Sequence, residues 1–175
     1  MLYPVPEIII GHDPGSSFWF RLAKCHNKSY IQWEDVELSQ NELSIEEGDV
    51  EDLLYYFLKK YYDKELVYNC RQAEDGTFPH ERRCRPAVFE WYLEHNFYTK
   101  TTVRTMLDDI SNVSNALTRF DEARIPDELL NSKCAYFADA ESAETAAAFY
   151  RRFVRLMTNM LDENPEWPLL SVMGP

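Results

Sequence analysis

The chain has 175 residues, 45% of them hydrophobic and 14% aromatic, with a formal net charge of −12. That much apolar material builds a packed core and excludes global disorder. That much negative charge repels nucleic acid and anionic lipid surfaces and attracts cationic partners.

The length suits a single globular domain spanning residues 1–175, at the usual ~150 residues per domain. The opening MLYPVPEIII has two prolines and no basic n-region, so it does not read as a secretory signal. No uncharged apolar run approaches the ~18 residues that span a bilayer, and neither end carries a lipidation or retention motif. The expectation is a cytoplasmic protein that neither enters membranes nor binds nucleic acid.

In chain order, GHDPG at 11–15 reads as a turn. SFWFRLAK (17–24) and SYIQWEDVEL (29–38) flank a short polar CHN and read as a β-hairpin. A short strand follows at LSI (43–45), with Val36, Leu38, Leu43 and Ile45 inward and Glu37 and Glu42 outward.

A helix is predicted over about 49–63, with Asp49 as N-cap, Asp52 three residues on, and Val50, Leu53, Leu54, Phe57 and Tyr61 as its apolar stripe. A second covers about 99–120, striped by Val103, Met106, Leu107, Ile110, Val113, Leu117 and Phe120. A third covers about 140–162, where Ala143, Ala146, Ala147, Tyr150, Phe153, Val154, Met157, Met160 and Leu161 share a face before Pro165.

ELVYNC (65–70) and KCAYFAD (133–139) read as strands, while PAVFEWYL (86–93) fits either a helix or a strand, its aromatics favouring a strand. The tail PEWPLLSVMGP is expected to order against the body through Trp167, Leu169 and Leu170. Together these predict an α+β fold: a mainly antiparallel sheet with an N-terminal β-meander, and about three packed helices.

Charge is distributed unevenly. Residues 1–66 carry a net −7, residues 67–104 a net +1, and residues 105–175 a net −6. Nine carboxylates and no Lys or Arg fall within residues 34–52. Helix capping accounts for Asp49, Glu51 and Asp52, because the helix dipole favours negative charge in a first turn. It does not account for Glu34, Asp35, Glu37, Glu42, Glu46 and Glu47, which lack counter-charges nearby in sequence. A solvated surface is one explanation, and a docking face for a basic partner is the other. EF-hand spacing is absent, so a calcium loop does not fit. Trp33 and the tyrosines of LLYYFLKKYY flank the stretch, and aromatics beside acids supply anchors and steering charge at interfaces. The same tyrosines would serve equally well in a core. The candidate partner-binding residues are therefore Trp33, Glu34, Asp35, Glu37, Glu42, Glu46, Glu47 and Asp49.

Signals for catalysis are sparse. The cysteines Cys25, Cys70, Cys84 and Cys134 match no small disulfide scaffold, and no pair has C-x2-C spacing for zinc. Reduced thiols, and no metal or cofactor, are the expectation. Arg82, Arg83 and Arg85 would lower the pKa of the Cys84 thiol, but no phosphatase-type loop surrounds it. His12 and Asp13 are neighbours on extended chain and point apart. His26 and His95 have no evident partners. Walker, G-x-S-x-G, H-E-x-x-H and G-x-G-x-x-G motifs are absent.

In size, acidity and lack of catalytic motifs across the whole chain, the sequence resembles bacterial immunity proteins of contact-dependent inhibition and related polymorphic-toxin systems. That resemblance implies a stoichiometric, non-enzymatic inhibitor of a basic protein toxin, such as a nuclease, whose Lys and Arg the carboxylates of residues 34–52 would engage in place of phosphates. Two other classes stand beside it. One is an enzyme using Cys84 and His80, or His12, with nearby acids. The other is an adaptor subunit whose acid serves solubility only.

Overall fold

The computed structural model describes residues 3–11, 19–25, 42–62, 67–69, 85–86, 95–132, 134–163 and 169–173. In chain order they form β1 (Ile8–Ile10), β2 (Trp19–Cys25), β3 (Glu42–Glu46), α1 (Glu47–Asp49), a π-helical turn (Val50–Leu54), α2 (Tyr55–Tyr61), β4 (Val67–Asn69), β5 (Arg85–Pro86), β6 (His95–Thr99), α3 (Lys100–Arg119), α4 (Asp127–Leu130), α5 (Ala140–Glu163) and β7 (Leu169–Met173). Short 3-10 turns at Glu122–Arg124 and Ala135–Phe137 connect the later helices. The architecture is α+β.

The described strands form one sheet in the order β1-β3-β2-β7-β6-β4-β5, and the pairings are antiparallel. β2 pairs directly with β3, Leu22 opposite Leu43, while β1 takes the outer side of β3 with Ile8 opposite Ile45. Among the described residues the N-terminal strands are thus not in simple meander order. The strand expected over 29–38 lies outside the described residues. In β3, Leu43 and Ile45 are buried as expected. Ser44 between them is buried too, its hydroxyl donating to the Gly11 carbonyl at 3.0 Å. The centre of β3 is therefore covered on both faces.

The tail does more than lie against the body. It forms β7, which joins β2 to β6 and so links the two halves of the sheet. Leu170 and Val172, two residues apart, are both buried, as strand alternation requires. Trp167 lies outside the described residues. Strand β6 falls at His95–Thr99, after the 86–93 segment read as a strand; of that segment only Pro86 is described, paired in β5. Thr99 ends β6 and starts α3: its backbone is extended, and its hydroxyl accepts the Thr102 N–H at 3.1 Å.

α3 and α5 follow their predicted stripes closely. Val103, Met106, Leu107, Ile110, Val113 and Leu117 are buried on one helix, and Ala143, Ala146, Ala147, Tyr150, Phe153, Met157, Met160 and Leu161 on the other. Val154 and Phe120 pack partly buried against this core. The small alanines let the helices approach, and the Ser114 hydroxyl donates to the Ala147 carbonyl at 3.0 Å between them.

Residues 133–139 are not a strand. Ala135–Phe137 make a 3-10 turn. Cys134 and Phe137, three residues apart, are both buried, which is the spacing of a tight helical turn rather than of a pleat. Asp139 then caps α5, accepting the Ser142 N–H at 2.8 Å.

The first helical segment runs from Glu47 to Tyr61 through the π turn. Val50, Leu53, Leu54 and Phe57 are buried, as the stripe requires, and Tyr61 packs against the core at its edge. Asp49 is not the N-cap. β3 passes straight into the helix, so Glu46 holds the extended capping position (φ −62°, ψ 142°) and Asp49 is already helical (φ −70°, ψ −33°).

Candidate acidic docking site

The structure divides the acidic stretch. Trp33, Glu34, Asp35 and Glu37 lie outside the described residues. Glu42 and Glu46 mark the two ends of β3, with the Glu42 backbone opposite Ala23 and that of Glu46 opposite Trp19. Glu46 is exposed and Glu47 half-buried, at the junction where the strand becomes a helix. Glu51 and Asp52 follow on the π turn and are also exposed. The ion pairs Lys60–Asp109, Arg104–Asp162, Arg124–Asp121 and Arg151–Glu144 take no carboxylate from this stretch.

Asp49 and Asp52 are tied back to the protein. The Tyr136 hydroxyl donates to Asp49 at 3.2 Å, and the Cys134 thiol lies close enough to Asp52 for each to shift the other's pKa. Both carboxyls are raised above their ordinary value, chiefly by desolvation, with Glu46 adding like-charge repulsion at each. Burial and the adjacent carboxylates push the Cys134 thiol up to about 12. It therefore stays protonated at neutral pH and is no nucleophile. Tyr136 is also raised, first by burial and then by Asp49, and its ring meets Tyr3 edge-on at 5.8 Å.

Beside these residues opens a groove of about 650 Å3. Glu51, Asp52, Tyr55, Tyr56, Lys59 and Lys60 line it from the first helical segment, Tyr62 from just beyond its end, and Glu128, Leu129 and Ser132 from α4 and the residues after it. Two lysines already lie over tyrosine rings there. Lys59 Nζ is 5.6 Å from the Tyr55 centroid, and Lys60 Nζ is 5.6 Å from that of Tyr56 and 5.4 Å from that of Tyr61. Lys60 also pairs with Asp109 at 2.6 Å, a contact that raises its pKa.

The tyrosines beside the acidic stretch were visible in the sequence as either anchors or core, and they are some of each. Tyr55 and Tyr56 pack against the core while lining the groove, and Tyr62 is exposed. The opposite wall, Glu128 to Ser132, carried no signal, because it comes from more than sixty residues away. The link from Cys134 to Asp52 was hidden for the same reason.

His12, His26, His80, Cys70 and Cys84 lie outside the described residues, and His95 sits on β6 opposite Tyr68. Among the described residues no group of three or more His, Cys, Asp or Glu could hold a metal ion. No described helix is long and apolar enough to cross a membrane. Comparison of the chain with known family models, with curated proteins and with solved structures finds no match.

Proposed function

We propose that the protein is an immunity-type inhibitor that neutralises a basic protein toxin, such as a nuclease, in the cytoplasm by stoichiometric docking. Carboxylates of residues 34–52 face the partner. The observation that supports this reading is the run of exposed or half-buried carboxylates at Glu46, Glu47 and Glu51, none of which is matched by an ion pair among the described residues. Unneutralised like charge held together costs stability, and a cationic partner recovers that cost on binding. Long-range attraction would speed encounter, and a few desolvated anchors would slow dissociation.

The test is capture from the native host's lysate, with the protein as bait and washes at low and high salt. A stoichiometric basic partner released by salt supports the reading. Replacing Glu37, Glu42, Glu46 and Glu47 together by glutamine should then slow association and flatten its salt dependence. An unchanged on-rate and salt slope would rule out this face as the epitope.

A further inference from the structure

We propose that the groove between the first helical segment and α4 receives a lysine or arginine side chain of the basic partner, with tyrosine rings as walls and Glu51, Asp52 and Glu128 as counter-charges. The inference rests on the reading that the partner is basic, and it names where that partner is anchored.

The size is right: about 650 Å3 lies within the ~300–1,000 Å3 of ordinary ligand clefts, room for a long side chain and its neighbours. The charge is right as well. Three carboxylates line the groove against two lysines, and Asp109 already neutralises Lys60. Lys59 alone is left to offset three negative groups. The aromatic surface also suits cations, because ammonium groups within ~6 Å of a ring face are attracted by its quadrupole. The chain's own Lys59 and Lys60 occupy such positions over Tyr55, Tyr56 and Tyr61. Leu129, buried in the α4 wall, adds an apolar contact for the methylene stem of an incoming Lys or Arg. Finally, the groove continues from the acidic junction: Glu51 and Asp52 follow Glu46 and Glu47 within two turns of helix. A cation steered to that junction has its anchoring cleft next to it.

The test uses the purified full chain and a fluorescein-labelled peptide of alternating lysine and glycine, read by fluorescence anisotropy at low and near-physiological salt. Glu51→Gln/Glu128→Gln should weaken the peptide about fivefold or more and reduce the salt dependence. Tyr55→Leu should weaken it a few-fold at unchanged salt slope, because the charge is intact. Lys59→Gln, which removes the competing internal cation, should tighten it. The control is Glu46→Gln/Glu47→Gln, which removes the same charge outside the groove. The proposal stands if the groove pair costs clearly more affinity than the control pair. It falls if the control pair costs as much or more, a result that leaves the acidic docking face standing. It also falls if the unaltered protein does not bind the peptide at either salt, whereas lysate capture decides the wider reading separately. Glu51 and Glu128 are exposed, so the amide pair remains a fair test even where Tyr55→Leu unfolds the protein.

Discussion

The Tyr150 hydroxyl, fully buried on α5, donates to the Leu53 carbonyl at 2.8 Å inside the π turn of the first helical segment. One hydrogen bond thus ties the longest helix to the element that carries Glu51 and Asp52. The ring is held on two sides as well, edge-on to Phe57 at 5.7 Å and to Phe149 at 5.9 Å. Tyr98 makes the parallel connection from the sheet, donating to the Leu58 carbonyl at 2.8 Å. Both hydroxyls are pushed well above their ordinary pKa by burial, so they remain donors at any physiological pH. Tyr150→Phe keeps the packing but leaves the Leu53 carbonyl without this donor. It should cost about 1–3 kcal/mol, measured by urea unfolding. An unchanged midpoint would show that the bond contributes nothing net.

Asp139 caps α5 through the Ser142 N–H, and the Ser142 backbone and hydroxyl hold its carboxyl below the usual value of 3.8. A group whose pKa is lower when folded stabilises the protein above its unfolded pKa and loses that contribution as pH falls through its folded pKa. Asp139→Ala should therefore lower Tm at pH 7. The difference from the parent should shrink on acidification below 3.8. A difference that stays constant down to pH 2 would exclude the capping charge as its source.

The carboxyls of Asp49 and Asp52 behave in the opposite sense. Their raised values mean that the folded state binds more protons than the unfolded state between the two pKa values, so stability falls as pH rises through that window. Asp52→Asn removes the charge and keeps the size of the side chain. It should raise Tm at pH 7, with the gain vanishing below the ordinary value of 3.8. A lower Tm at pH 7 would instead show that the favourable contacts of the carboxylate outweigh its desolvation.

Cys134 is buried, and its thiol is pushed up to about 12. Since the thiolate is the reactive form, the folded protein should resist iodoacetamide at this position at pH 8. Unfolding in guanidinium should release full reactivity. Peptide mapping by mass spectrometry separates Cys134 from the other three cysteines. Rapid labelling in the folded state would contradict the buried, protonated thiol.

The long helices were legible because their periodicity is internal. Every apolar residue of the α3 stripe from Val103 to Leu117 is buried, and the α5 stripe from Ala143 to Leu161 is buried but for Val154, half-buried at its margin. A stripe at 3.6-residue spacing needs no knowledge of what it packs against. The strands were harder. LLSVM at the tail is short and continuously apolar apart from one serine, a pattern that helix cores and buried strands share. Only its pairing with β2 and β6 makes it a central strand. KCAYFAD has strand-forming residues, but Cys134 and Phe137 meet the core three apart and Asp139 is needed as a cap, so the tertiary setting overrides propensity.

The α+β class, the apolar stripes of the three predicted helices and the acidic character of residues 34–52 all follow from local composition and spacing. Folding selects which of those acids gain neighbours from distant parts of the chain. Asp49 and Asp52 are drawn toward Tyr136 and Cys134, more than eighty residues away in the chain, while Glu46, Glu47 and Glu51 are left without such partners among the described residues. It also decided that α4 faces the tyrosines to form a groove. A carboxylate's partners depend on the elements folded against it, and that proximity leaves no trace in its own neighbourhood of the chain.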